Sequence, residues 1–337
     1  MSITIPLIRG FALFPALGWF ARHGITEEEV LKSANLPPDL ASFPFRPVPL
    51  VLVASMLCAA ARQVGPDLPC RIVFETDDLE IAMLGKVALG AGTPREALAR
   101  IIPALPFYCS HEQVSMERKG GATIVREFFS YRFDAETRHL LLQYAAAMVH
   151  RICGLDRASP ERFLRIELPP HPDFGLQHLI PWFGAGLVET RSHGFAITVE
   201  DQIMDRRFNR MARSRVQGRQ LPKQPTLRGD GSLSASVRSL LVSMMECGQT
   251  LSIERLSAAA GASVRTFQRQ LRAEHTSYSE LLAEIRHDEA QRRLYQTNAT
   301  IASIAAQLGY SDQACLTRAF RRWTGSPPRH FRTQLSR

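Results

Sequence analysis

Apolar residues recur every three to four positions over 233–247, 253–260, 263–274, 277–296, 301–308 and 312–324, and this period predicts a run of amphipathic helices. The longest, 277–296, aligns Tyr278, Leu281, Leu282, Ile285 and Leu294 along one stripe. On either side of it the chain repeats itself: FQRQL at 267–271 is echoed by LTRAF at 316–320, each after a short helix and a glycine. In the first copy Val264, Phe267 and Leu271 share one face, which leaves Arg265, Gln268, Arg269 and Arg272 on the other. In the second, Leu316, Ala319, Phe320 and Trp323 face inward, and Gln313, Thr317, Arg318 and Arg321 face out. Gly261 and Gly309 end the short helices; Ser263, and Ser311 or Asp312, cap the longer ones.

The N-terminal part mixes two periods. Thr26 with Glu29 is a capping box, and Thr93-Pro94-Arg95-Glu96 is a second, with proline at the first helical position. Helical spacing continues over 49–64 and 135–154. Alternating runs on either side of Gly120-Gly121 predict a hairpin, and short strands are expected over 163–168, 186–190 and 194–199. The expectation is an α+β domain over 1–208, then an all-α domain over 233–337. Between them, 209–232 is rich in basic residues and proline, with almost no periodic apolar positions; it reads as a flexible tether or as an arm that touches phosphates.

Charge sharpens that division. The chain of 337 residues carries a net +9, but residues 1–204 hold 19 Lys+Arg against 22 Asp+Glu, whereas 205–337 hold 22 against 10. A helical region this basic usually meets a polyanion or an acidic membrane surface. Cys58, Cys70, Cys109, Cys153, Cys247 and Cys315 form neither a Cys-x-x-Cys pair nor an even framework, which fits a reduced, cytoplasmic setting. The apolar run 10–20 follows Arg9 and precedes no small-x-small cleavage site, so it is expected to be a first buried segment. No stretch of about 18 uncharged apolar residues predicts a membrane span.

Catalytic signals are sparse. His171, Asp173 and His178 are the best candidate metal ligands, although polar loop residues after a strand more often have no such role, and no metal or cofactor is expected. Gly90 and Gly92 lack the Gly-Lys-Ser/Thr of a phosphate loop. No Ser/His/Asp or Cys/His set stands at a recognisable spacing. A nucleic-acid-processing enzyme and a non-specific architectural DNA binder remain the alternatives to what the repeat suggests.

A short helix, a glycine turn and a second helix with an Arg/Gln/Thr outer face is the layout of a helix-turn-helix, whose second helix enters the major groove. Arg can fork onto guanine and Gln onto adenine, so the outward residue types suit base readout. Two such units joined by one long helix point further. IASIAAQLGYSDQACLTRAFRRWTGSPPRHFR closely resembles the signature of the AraC/XylS family of transcriptional regulators, through Gly309, Tyr310, Ser311, Asp312, Arg318, Ala319, Phe320, Gly325, Pro327, Phe331 and Arg332. The first copy matches through Leu256, Gly261, Ser263, Arg265, Phe267, Gln268 and Arg269, and the connecting helix through Tyr278, Arg286, Ala290 and Leu294. More loosely, residues 8–208 resemble the regulatory domain of the family's ornithine-responsive branch, named arabinose-binding by convention.

The resemblance implies base-contacting positions at Arg265, Gln268 and Arg269 in the first copy. In the second it implies Gln313, Ala314, Thr317 and Arg318, with Arg321 on the same outer face. Gly309, Tyr310, Phe320, Trp323 and Pro327 are expected to serve turn and core. The implied partners are double-stranded DNA read in two adjacent major-groove segments, RNA polymerase, a small-molecule effector in an apolar pocket of the N-terminal domain, and a second copy of the chain, most simply in an activator.

Overall fold

The computed structural model describes residues 3–76, 91–153, 163–208, 226–248 and 251–335. It divides into two compact units, one made of residues 7–45 and 50–228, the other of residues 1–6, 46–49 and 229–337. Of the basic stretch expected to be a tether, 209–225 lies outside the described residues, as does Gly90.

The first unit is a five-stranded sheet with helices on one face. Its strands are β1 (Glu112–Lys119), β2 (Ala122–Phe129), β3 (Phe163–Leu168), β4 (Leu187–Glu189) and β5 (Gly194–Glu200), in the order β1-β2-β5-β3-β4, antiparallel except for the β3–β4 pair. β1 and β2 meet through a two-residue turn in which Gly120 and Gly121 both take positive φ, at 61° and 79°. That backbone matches the twist of a tight hairpin, and side chains other than glycine or asparagine resist it. The helices are α1 (Phe14–Arg22), α2 (Glu27–Ser33), α3 (Leu50–Val64), α4 (Leu68–Glu75), α5 (Pro94–Tyr108) and α6 (Ala135–Cys153). Val125, Ile166, Leu168, Ile197 and Val199 on the inner face of the sheet pack with Leu142, Ala146, Ala147 and Val149 of α6 into one core.

Local chemistry sets the helix ends. Thr26 and Glu29 form the reciprocal capping box at the start of α2. At α5 the box is offset by one residue: Thr93 Oγ1 accepts from Glu96 N, but Glu96 Oε2 accepts from Gly92 N. Pro103 and Pro106 inside α5 disturb its backbone ladder, and its last carbonyls find outside partners. Phe107 O accepts from Arg9 Nε at 2.7 Å, and Pro106 O accepts from Leu227 N at 2.8 Å. Arg9, the one charge beside the apolar run 10–20, is therefore buried for a reason: it caps a proline-broken helix and lies over the Phe107 ring. Burial lowers its pKa to about 10, so it stays protonated near neutral pH. The last described part of the basic stretch is docked, since Leu227 is buried and Arg228 donates to Glu112 O.

The second unit holds α7 (Leu233–Glu246), α8 (Ile253–Ala259), α9 (Val264–Ala273), α10 (Tyr278–Gln296), α11 (Ile301–Gln307), α12 (Gln313–Thr324) and α13 (Pro328–Leu335). Side-chain caps from Ser232, Ser252, Ser263, Ser277, Thr300 and Asp312 start six of these helices. Two short early segments complete the unit: Ser243 Oγ donates to Pro47 O at 3.1 Å, and the Thr4 and Ser236 hydroxyls lie 3.0 Å apart. Pro327, expected in turn or core, is exposed and accepts from Phe331 N at the start of α13; Pro328 is the buried one.

An ion-pair cluster ties the start of α5 to the sheet. Asp201, just past β5, accepts from Arg95 Nη2, Thr123 Oγ1 and Arg118 Nε, each at 2.7 Å, and Arg95 Nε also donates to Asp205 at 2.5 Å. The Thr123 hydrogen bond, then those from Arg95 and Arg118, lower Asp201 from 3.8 to about 2. A carboxylate depressed in the folded state contributes stability that is complete above its unfolded pKa and is lost as pH falls through the folded one. Asp201→Asn should therefore flatten the loss of stability between about pH 4 and pH 2, read by urea unfolding of the intact chain. An unchanged pH slope would contradict this role.

Candidate nucleic-acid interface

Each repeat folds as a helix-turn-helix. In the first, α8 ends at Gly261 (φ 62°), Ser263 caps α9 by accepting from Thr266 N, and Phe267 and Leu271 are completely buried. Burial of Phe267 fixes the rotation of α9 about its axis, so Arg265, Gln268, Arg269 and Arg272 are exposed. Arg265, Gln268 and Arg269 have no side-chain partner among the described residues, which leaves their donors free for a ligand. In the second, Asp312 Oδ1 accepts from Cys315 N at 2.7 Å, and Leu316 and Phe320 are buried. Ala314, Arg318 and Arg321 are exposed, while Gln313 and Thr317 are partly buried.

The two outer faces differ in readiness. Thr317 Oγ1 donates to Gln313 O at 2.8 Å, so its hydroxyl proton is already used and its methyl and lone pairs remain for a base. Arg318 Nη2 lies 3.1 Å from Cys315 Sγ, a weak acceptor that orients the guanidinium along the helix surface. The structure thus groups Arg265, Gln268 and Arg269 on one helix and Gln313, Ala314, Thr317, Arg318 and Arg321 on the other. Each group is held by a fully buried phenylalanine, whose truncation to alanine would cost about 3–5 kcal/mol.

What holds the units together was less visible in the sequence. Arg286 on α10 donates through Nε to Leu308 O at 2.9 Å and through Nη2 to Gly309 O at 3.0 Å, and its guanidinium stacks on Tyr310. Those carbonyls are the orphans at the end of α11, so a charge on the connecting helix completes the second turn. On the same helix Glu289, nearly buried, accepts from Arg292 and Arg293, and Arg293 also donates to Gln307 on α11. Burial opposes ionisation of Glu289, but the hydrogen bonds from Arg292 and Arg293 outweigh it and hold its pKa below the ordinary carboxylate value. In the first helix-turn-helix the counterpart is Glu274, beyond α9, which accepts from Leu233 N and Ser234 N at 3.0 and 2.8 Å and caps α7. Arg286 matched a family position without a stated role, and neither Glu274 nor Glu289 stands in a motif that marks it.

Of the candidate ligands, His171 and His178 lie with ring centroids 5.9 Å apart, and His139, which the sequence did not single out, makes a third ring beside them. His139 Nε2 and His178 Nε2 are 3.1 Å apart, and His139 Nδ1 pairs with Pro169 O at 2.7 Å. Burial lowers His139 to about 3 and His178 to about 4, which keeps the pair neutral. Among the described residues no group of three or more His, Cys, Asp or Glu is arranged to hold a metal ion. The same residues contain no helix long and apolar enough to cross a membrane.

The first unit also holds a cavity of about 120 Å3 between α1, α3, α5, α6 and the sheet. Phe11, Leu57, Leu105, Phe129, Tyr144 and Met148 are part of its largely apolar wall, and His111 and Glu112 also line it. A pocket between helices and sheet is the common form of a small-molecule site.

Two helix-turn-helix units in one helical body, beside an α+β unit, define a two-part transcription regulator, and comparison with known proteins agrees. A family model described as a helix-turn-helix domain matches residues 256–334, and one described as the arabinose-binding domain of AraC transcription regulators, N-terminal, matches residues 24–207. The second match spans more than half of the chain, which therefore belongs to the AraC family of transcription regulators with this N-terminal ligand-binding domain. The HTH-type transcriptional regulator VirS of Mycobacterium tuberculosis is 37% identical over 106 residues, 32% of this chain and 31% of VirS. The ornithine utilization regulator of Pseudomonas aeruginosa is 32% identical over 107 residues, 32% of this chain and 31% of that one. These matches span about a third of the relatives' length. The crystal structure of the transcriptional regulator CdpR from Pseudomonas aeruginosa aligns over 96% of this chain and 98% of its own, at 18% identity and a TM-score of 0.42. These relatives are transcriptional regulators rather than enzymes.

The second turn gives a direct test. Gly309 has φ 72°, and a Cβ added there would lie 3.2 Å from Arg286 Nη2. Gly309→Ala should cost about 1–2 kcal/mol from the left-handed backbone, with a further loss as Arg286 is displaced. Chemical denaturation of the full chain measures it; a variant as stable as the parent would remove Arg286 and Gly309 from the architecture of the turn.

Proposed function

We propose that the chain binds a specific DNA sequence through both recognition helices and regulates transcription there, as an activator whose occupancy of DNA responds to a small molecule in the N-terminal unit. The observation that carries this reading is the pair of solvent-facing surfaces on α9 and α12. Each presents the residue types that fork onto guanine or adenine, above a buried phenylalanine that fixes its rotation. Arg265, Gln268 and Arg269 would read one major-groove segment, and Gln313, Ala314, Thr317, Arg318 and Arg321 the next. The excess of basic residues beyond Asp205 would supply the sequence-independent, salt-sensitive part of the affinity.

The resemblance to the AraC/XylS family supports three extensions: a homodimer on paired half-sites, contact with RNA polymerase, and activation rather than repression. The apolar cavity supports the effector site. A ligand there shifts DNA affinity only by its differential affinity for the two states, so a change of about 10- to 100-fold is expected.

Selection of binding sites from random DNA with the full chain gives the operator. On that operator Arg269→Ala and Arg318→Ala should each lose about 1–3 kcal/mol, and each should relax the preference at its own base position. A variant that keeps full sequence preference would show that its arginine does not read a base.

A further inference from the structure

We propose that the cavity in the first unit recognises a compact apolar molecule carrying one ammonium group, which Glu112 accepts with Glu127 and His111 around it. The proposal rests on the reading of this cavity as the effector site and adds the chemical class of the effector.

Three observations carry it. The first is the character of the wall. Apart from His111 and Glu112, the lining is aliphatic, aromatic or thiol, with two tyrosines, and no Lys or Arg contributes to it among the described residues. A polyol would leave several hydroxyls without partners on such a wall, each at a cost of about 1–3 kcal/mol, and a carboxylate or phosphate would meet Glu112 with no lining cation to offset it.

The second is the placement of acidic groups. In the β1–β2 register Glu112 faces Phe129 and Val114 faces Glu127, so Glu112 and Glu127 are diagonal neighbours on the inner face of the sheet. Such neighbours lie about 7–8 Å apart, so Glu127 stands close behind Glu112 while Glu112 itself lines the cavity. Glu127 is only 4% exposed. Burial, then the charge of Glu112, raises its pKa well above the ordinary carboxylate value. Glu112 titrates the other way: burial opposes its charge, but His111, Cys109 and Arg228 outweigh that and hold it ionised.

The third is a set of unmet hydrogen-bonding atoms. Glu127 Oε1 and His111 Nδ1 are both buried with no partner, and His111 is 2% exposed. His111 Nε2 lies 3.5 Å from Glu112 Oε1. The ionised Glu112 carboxylate, with the partnerless His111 ring nitrogen beside it on the wall and the Glu127 carboxyl behind, offers a primary ammonium its counter-charge in an otherwise apolar space. For size, an apolar cavity of about 150 Å3 holds benzene, so about 120 Å3 limits the apolar body to no more than one small ring.

The test uses the intact protein and four probes of related size: benzylamine, benzyl alcohol, benzoate and L-arabinose, with binding read by calorimetry at neutral pH. Benzylamine should bind saturably and at least about tenfold more tightly than benzyl alcohol, with benzoate and arabinose undetected. Glu112→Gln should reduce the preference for amine over alcohol below about threefold while the alcohol still binds, which a collapsed cavity would not permit. Benzoate or arabinose binding as well as the amine would overturn the proposal. If the amine binds no better than the alcohol, yet Ala16→Phe, which fills the cavity, abolishes both, the ammonium class falls and the effector cavity stands. If no probe binds, or Ala16→Phe leaves binding unchanged, both fall.

Discussion

The second half of the molecule depends on where one guanidinium is held. Arg286 projects from the connecting helix onto the carbonyls of Leu308 and Gly309 and covers Tyr310. The turn of the second helix-turn-helix is thereby closed by the element that also carries the first. Without it, two buried-face contacts would leave α11 and α12 free to tilt against α10, since apolar packing is non-directional. A charge-assisted hydrogen bond to two consecutive carbonyls is directional and cannot be satisfied at another register. Glu289, Arg293 and Gln307 extend the same tie along one flank, and Glu274 fastens the first helix-turn-helix to α7. These polar links convert two separate motifs into one body whose recognition helices have a fixed separation.

Much of this was legible because it rests on period and punctuation. The stripe of Phe267 and Leu271, and that of Leu316 and Phe320, gave both recognition helices and their outer faces. Gly120-Gly121 gave the hairpin, and Thr26 with Glu29 gave a helix start. α4 escaped notice because no capping box punctuates its start: Asp67 precedes it without a side-chain capping hydrogen bond. Arg9 was legible only as an oddity beside an apolar run; its purpose depends on carbonyls 36 and 98 residues away. The cavity was illegible for the same reason. Glu112 and Glu127 lie on strands whose alternation is plain, but alternation does not say that the face they share with Val114 and Phe129 leaves an unfilled space.

Control of DNA binding by a small molecule is a coupling between a site in one unit and an equilibrium in the other, and its size is set by differential affinity rather than by affinity alone. The proposed effector cavity, with partnerless polar atoms of His111 on its wall and Glu127 behind it, fits that requirement. Such atoms are costly when empty and satisfied when a donor enters, so a ligand alters the energy of the surrounding sheet and helices as well as filling space. The same property would make the choice of ligand stringent, because a molecule lacking the matching polar group leaves those buried atoms unpaired.

The central claim is that two recognition helices on one rigid connecting helix read two adjacent major-groove segments together. The measurement closest to it is the affinity of the intact protein for its selected site before and after insertion of five base pairs between the two protected segments, about half a helical turn. The account predicts that affinity falls to that of a site carrying one segment alone. Equal affinity for the parent and inserted sites would show that the two helices do not act as one unit.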